Sequence, residues 1–174
     1  MPEAAPAAAG SPFWRFSLRF YRQPGVAEAC IALQEEAGAD VNLLLFLLWH
    51  AARQRRLSGE EIGLLEQKIA GWRNQTVIPL RAIRRALKSA PGLVEAGSAE
   101  AFRTRIKAVE LEAERLQQEA MYDLVRVSLL GEAAPSVAEA ARANVAAYES
   151  ICRAGFAPPA VATMLEALAK VPAE

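Results

Sequence analysis

The sequence predicts an all-α fold: a single helical domain of about seven or eight helices around one buried central helix. Three observations favour this fold class. Apolar residues recur at intervals of three and four along most of the chain, as they do on the buried faces of helices. Proline, glycine and capping residues separate the periodic segments. The segment 41–49 is apolar on almost every side and therefore has to be covered on every side.

The composition bounds the possible functions. The 174 residues are 53% hydrophobic and 23% charged with a net charge of zero, which is typical of one globular domain and argues against nucleic-acid binding. The two cysteines form neither a disulfide framework nor a zinc motif, and we expect them to be reduced in a cytoplasm. The sequence predicts no metal site and no cofactor.

The N-terminal dozen residues, 1–12, are rich in alanine and proline, and we expect a disordered tail followed by one domain over 13–174. A short amphipathic helix comes next, at 13–22, with arginines on one face. Its other face carries Phe13, Phe16 and Phe20. That aromatic face either packs on the protein's own core or makes a peripheral membrane contact. No segment is long and apolar enough for a transmembrane helix.

A second helix, with Val26, Cys30 and Leu33 on its core face, precedes the central one. Asp40 then stands at the N-cap position of the central helix. Asn42 interrupts the apolar run that ends at Trp49, and a buried amide has to find hydrogen-bond partners. Asn42 therefore either ties two helices together or lines a pocket, and such a pocket would reach Asn42 or Trp49.

Further along the chain, Ser58 and Glu61 resemble a capping box and open a helix that is expected to end near Asn74. The following segment, 76–89, predicts a helix with four cations on one face and leucine and isoleucine on the other. We call these cations the basic stripe, and they are Arg81, Arg84, Arg85 and Lys88. The basic stripe is either a binding surface for an anion or an acidic partner, or a solvated face that the domain's own acids neutralise in part.

A long uninterrupted helix is predicted near 99–130, capped by Ser98. Its apolar positions alternate steps of four and three, as in a coiled-coil seam. This seam comprises Phe102, Ile106, Val109, Ala113, Leu116 and Ala120. Glu110 and Glu114 lie beside it and could meet the basic stripe. An alanine-rich helix from about Val137 and a short helix after Pro159 complete the domain.

Three segments together resemble a family of conserved hypothetical proteins from proteobacteria that carries a domain-of-unknown-function label. They are DVNLLLFLLW at 40–49, PLRAIRRALK at 79–88 and RIKAVELEAERLQQ at 105–118. The resemblance spans roughly Phe13 to Leu130. It implies a bacterial cytoplasmic protein with an all-helical fold, and it brings no reaction, substrate or site residues.

Two functions remain open from the sequence. The leading hypothesis is a non-enzymatic adaptor that binds an acidic protein partner, or a phosphate-bearing group, through the basic stripe. The alternative is a carrier or enzyme for an apolar small molecule with a phosphate or carboxylate head group. The sequence identifies no catalytic residues, and it does not predict an oligomeric state.

Overall fold

The computed structural model describes residues 10–89, 92–127 and 129–172. Within these ranges the protein is helical apart from one pair of two-residue strands, which confirms the all-α prediction. The helices are α1 (Pro12–Tyr21), α2 (Val26–Ala37), α3 (Val41–Ala52), α4 (Gly59–Trp72), α5 (Ile78–Ala86), α6 (Ala96–Val127), α7 (Val137–Glu149) and α8 (Pro158–Leu168). The strands are β1 (Arg55–Arg56) and β2 (Glu132–Ala133). Residues 1–9 of the predicted tail lie outside the described ranges, and Pro12 already belongs to α1.

The chain groups into two compact units. The core unit comprises 1–66 and 118–174, and the hairpin unit comprises Gln67–Gln117. The boundaries between the units fall within α4 and α6. That residues 13–174 form a single domain therefore stays a prediction, and each unit is described by itself.

Helix α3 is the central helix of the core unit, as predicted. Every residue from Asn42 to Ala51 is buried, and Asp40 caps the helix by accepting a 3.1 Å hydrogen bond from the amide of Leu43. The packing partners of α3 are α1, α2 and α7. A helix without a polar face has no stable position at a protein surface, so the apolar side chains around α3 explain why this helix is buried.

The aromatic face of α1 is part of this core. Ser11 caps the helix with its hydroxyl group, and the phenylalanines of α1 are fully buried. The rings of Phe13 and Phe46 meet edge to face at 5.1 Å, a geometry that adds to the stabilisation from burial. The arrangement agrees with the expectation that this face packs on the protein's own core.

Asn144 joins three elements of the core unit, a role that the sequence did not reveal. Its side chain is completely buried on α7. The amide nitrogen donates to the carbonyls of Leu47 and Arg55, at 3.0 and 3.1 Å, and the amide oxygen accepts from the backbone nitrogen of Leu57 at 2.8 Å. Asn144 thereby binds the backbone inside α3, in β1 and immediately after β1.

The two short strands pair antiparallel, with Arg55 opposite Ala133. Gly131 precedes β2 with a positive φ of 69°, and a Cβ atom there would lie 2.6 Å from the carbonyl oxygen of Arg56. Glycine is therefore required at this position. Strands of two residues are too short to show an alternating pattern, which explains why the sequence did not predict them.

In the hairpin unit, the predicted helix end near Asn74 is wrong. A π turn, Arg73–Val77, connects α4 directly to α5, and a 3₁₀ turn, Leu87–Ser89, extends α5. Pro79 explains the π turn, because a proline inside a helix removes one hydrogen bond and its ring collides with the preceding turn. The wider turn makes room, and the amide of Ile78 bonds to the carbonyl of Arg73 five residues back.

Helix α6 is the predicted long helix, displaced by three residues at each end. It runs for 32 residues, or about 48 Å at 1.5 Å per residue. The carboxylate of Glu95 accepts hydrogen bonds of 2.8 Å from the amides of Gly97 and Ser98. These bonds lower the pKa of Glu95 and cap the helix, so Glu95 takes the capping role that was predicted for Ser98.

Candidate binding surface

The structure divides the predicted basic stripe into two pairs. Arg81 bonds to Glu110 at 3.1 Å and to Glu114 at 2.7 Å, both on α6. Arg84 donates hydrogen bonds to the same Glu110 carboxylate through two nitrogens, and one of these nitrogens lies 3.2 Å from Oε1. We call these four residues the charge clamp. It holds α5 against α6 within the hairpin unit, so half of the stripe serves the protein's own structure.

Burial makes the charge clamp more than a surface ion pair. The side chain of Glu110 is only 7% exposed, and those of the two arginines are about one fifth exposed. Burial alone raises the pKa of Glu110, but the hydrogen bonds and charges of Arg84 and Arg81 outweigh it and hold the pKa below its usual value. Removing the carboxylate would leave two partly buried guanidinium groups without their shared partner.

The other half of the basic stripe faces outward. Arg85 and Lys88 are exposed, Arg85 on α5 and Lys88 in the 3₁₀ turn that follows it. Neither residue belongs to the charge clamp. These two positions are the exposed part of the predicted site.

The charge of the chain is concentrated by unit. Residues 67–117 contain ten lysines and arginines against five glutamates, a net charge of +5, whereas the whole chain is neutral. The remaining residues therefore carry −5. The composition as a whole conceals this separation, which gives the hairpin unit an electrostatic attraction for acidic partners.

Helices α5 and α6 run antiparallel, because the later arginine of α5 pairs with the earlier glutamate of α6. Successive residues of a helix point about 100° apart around its axis. A residue one position before a residue that faces the other helix therefore lies beside the contact between the two helices. Because α5 and α6 are antiparallel, such residues of both helices lie on the same side of that contact. Apolar residues occupy these positions, and together they form what we call the apolar face: Leu80, Ile83, Phe102, Val109 and Leu116.

Arg85 lies on the opposite side of the hairpin unit, since it follows the inward-facing Arg84. The indole nitrogen of Trp72, at the end of α4, donates to the carbonyl of Ala113 at 3.0 Å. This bond joins α4 to α6, as the charge clamp joins α5 to α6.

Asn42, the predicted helix tie or pocket residue, has a protein partner. Its side-chain oxygen accepts a 2.8 Å hydrogen bond from Gln118, and both side chains are buried in the core unit. Trp49 is buried in an aromatic cluster with Phe13 and Tyr122, and the guanidinium of Arg53 lies 4.7 Å from its ring. The bond to Gln118 is the one that the helix-tie interpretation requires.

His50 is buried next to Trp49 and contacts the ring of Phe46 at 4.6 Å. Neither ring nitrogen has a hydrogen-bond partner among the described residues. Burial, with smaller contributions from the charges of Arg53 and Arg55, lowers the pKa of His50 to about 4 against the opposing effect of Glu61. His50 is therefore a neutral core residue at physiological pH.

Among the described residues, no three histidine, cysteine, aspartate or glutamate side chains converge as a metal site. None of the described helices combines the length and the apolar character that a bilayer crossing requires.

The comparisons with known proteins bear on family rather than on activity. No curated protein and no solved structure matches the chain. One family model matches residues 12–121 of the chain: DUF2390, described as a protein of unknown function. The matched range begins at the start of α1, ends within α6 and includes the whole hairpin unit. The chain therefore belongs to the DUF2390 family.

Proposed function

We propose that the protein is a non-enzymatic protein-binding module whose hairpin unit recognises an acidic partner. The observation that carries this proposal is the net charge of +5 on residues 67–117 within a neutral chain. Such a concentration of charge speeds the encounter with an acidic surface and disfavours basic partners.

Arg85 and Lys88 are the proposed contact residues, because both are exposed. Arg81 and Arg84 act indirectly, since the charge clamp holds α5 in position. The distinction refines the expectation from the sequence, in which all four cations formed one site. A variant that tests binding without disturbing folding has to change Arg85 and Lys88 and leave Arg84 in place.

The bond between Asn42 and Gln118 favours the adaptor over the carrier, because it satisfies the one buried amide that a pocket was expected to expose. The proposal places the protein in a bacterial cytoplasm, where the free thiols of Cys30 and Cys152 stay reduced.

The test is affinity capture from the native host with three forms of the protein. The wild type is compared with the double variant Arg85→Glu/Lys88→Glu and with the control Arg142→Glu/Lys170→Glu, which makes the same charge change at exposed positions of the core unit. We expect an acidic protein to be retained by the wild type and the control. We expect the Arg85/Lys88 variant to lose it at an unchanged melting temperature.

The salt dependence of the interaction supplies a second readout. Contacts between exposed charges weaken as ionic strength rises, so retention by the wild type should fall steeply above physiological salt. A partner that binds the Arg85/Lys88 variant as well as the wild type would exclude the proposed contact residues. Loss of binding in the control alone would move the site to the core unit.

A further inference from the structure

The coiled-coil-like seam of α6 is covered on only one side. Ala113 is buried and Ile106 is half-buried, whereas Phe102, Val109 and Leu116 are 44%, 52% and 44% exposed. These three exposed residues recur every seven positions, so they form a straight stripe about 21 Å long on the helix.

Apolar residues of helix α5 lie beside this stripe and widen the apolar surface. Leu80 and Ile83 belong to the same apolar face, and Ile83 is 45% exposed. An apolar face of this width on two adjacent helices is more than the scattered exposed leucine of an ordinary surface, and it is typical of an interaction site.

The order of residues along the stripe fits a second copy of the chain. If two α6 helices pack antiparallel with Val109 on the two-fold axis, Phe102 of one copy meets Leu116 of the other, and the reverse pairing follows by symmetry. Each of the two outer pairs then combines a large side chain, Phe102, with one of moderate size, Leu116, and two valines meet at the axis. Side chains paired in this way interdigitate well between helices.

The charges beside the stripe agree with the same register. Arg105 and Glu112 flank it on the outer side of α6, each three residues after a stripe position. In the antiparallel arrangement Arg105 faces Glu112 of the partner subunit on both sides of the axis, so the flanking charges are complementary. Glu112 already accepts from Arg115 of its own helix at 2.7 and 2.9 Å, and a carboxylate has further acceptor positions for a second arginine.

We infer that the protein forms a homodimer in which the apolar faces pack together, α6 against α6 in antiparallel orientation about an axis at Val109. This interface is independent of the proposed acidic partner. Arg85 lies on the opposite side of the hairpin unit and stays accessible in the dimer, so the two interactions can be tested separately.

Sedimentation equilibrium of the purified full chain tests the inference. We expect a concentration-dependent dimer for the wild type. The variant Val109→Asp places two carboxylates against each other at the axis and should weaken dimerisation at least about tenfold. The control Ile31→Asp changes a side chain of similar exposure, 47%, in the core unit and should leave the dimer unchanged.

A mixing experiment then tests the antiparallel register of the two α6 helices through a recovery of dimerisation rather than a loss of it. Arg105→Glu and Glu112→Lys should each weaken the homodimer, because each variant alone brings like charges together. An equimolar mixture of the two variants should restore dimerisation, since both flanking pairs become complementary in the mixed dimer.

A monomeric wild type at concentrations of about 100 µM would overturn the inference, because cytoplasmic self-association requires an affinity in or below that range. A dimer that survives Val109→Asp would show that the copies meet elsewhere. Failure of the mixture to rescue dimerisation, with Val109→Asp monomeric, would exclude the antiparallel register. None of these results depends on Arg85 or Lys88.

Discussion

Glu110 links α6 to α5 in the hairpin unit, because its one carboxylate binds two arginines of α5. We expect Glu110→Gln to lower the free energy of unfolding by about 1–3 kcal/mol, since both guanidinium groups lose a charged acceptor in a partly buried setting. Urea denaturation measures this. The control Asp123→Asn breaks an exposed ion pair with Arg126 and should cost less than about 0.5 kcal/mol. Equal effects of the two substitutions would refute the special role of the charge clamp.

His50 makes the core unit sensitive to acid. Its pKa is about 4 in the folded protein against 6.5 ordinarily, so protons bind the unfolded chain more readily than the folded one as the pH falls. The stabilisation from neutral His50 is complete above pH 6.5 and is lost progressively towards pH 4. At pH 5 the loss should be about 2 kcal/mol.

The variant His50→Phe isolates this effect, because phenylalanine cannot titrate. The difference in unfolding free energy between wild type and variant should shift with pH in favour of the variant between pH 7.5 and pH 5. The carboxylates that do not interact with His50, such as Glu110 with its lowered pKa, contribute equally to both proteins and cancel in the comparison. A difference that stays constant over this interval would mean that His50 is protonated in the fold or has an ordinary pKa.

The sequence predicted which side chains could form the site but not how they pair. Four cations at helical spacing indicated a stripe, and Glu110 and Glu114 were possible partners. The direction in which the stripe faces depends on the rotation of α5 about its axis. The π turn, Arg73–Val77, changes that rotation, and its effect on side-chain direction cannot be read from periodicity.

Asn144 holds α7 to α3 and to β1 through three hydrogen bonds, two of them buried and one partly buried. We expect Asn144→Leu to destabilise the protein by about 3 kcal/mol or more, because three backbone groups lose this partner at a site shielded from water. Thermal or urea unfolding of Asn74→Leu, at an exposed asparagine, is the matched control. If the two variants differ by less than about 1 kcal/mol, solvent reaches the Asn144 site.

Most helices could be predicted because their apolar periodicity is strong and their caps are local signals. Asp40 and the apolar run after it specified both the start and the central position of α3. The continuity of α4 with α5 could not be predicted, since Pro79 ordinarily indicates a break and the wider turn that accommodates it has no sequence pattern of its own. The role of Asn144 was equally hidden, because one asparagine among alanines gives no periodic signal.

At the scale of the whole molecule, the separation of charge is the feature that the composition conceals. A net charge of zero argued against any attraction for polyanions, yet it is the sum of +5 in residues 67–117 and −5 elsewhere. The proposed function rests on this separation. The expectation that nucleic acid is not the partner rests on the overall net charge, and an experiment that identifies the bound molecule tests it.

Native mass spectrometry of the protein gently purified from its own host tests the proposed function, because it identifies whatever remains bound. We expect a complex with an acidic protein that is absent when Arg85→Glu/Lys88→Glu is expressed in place of the wild type. A retained nucleic acid, lipid or phosphorylated small molecule with no bound protein would contradict it, as would an acidic protein that the variant retains equally well.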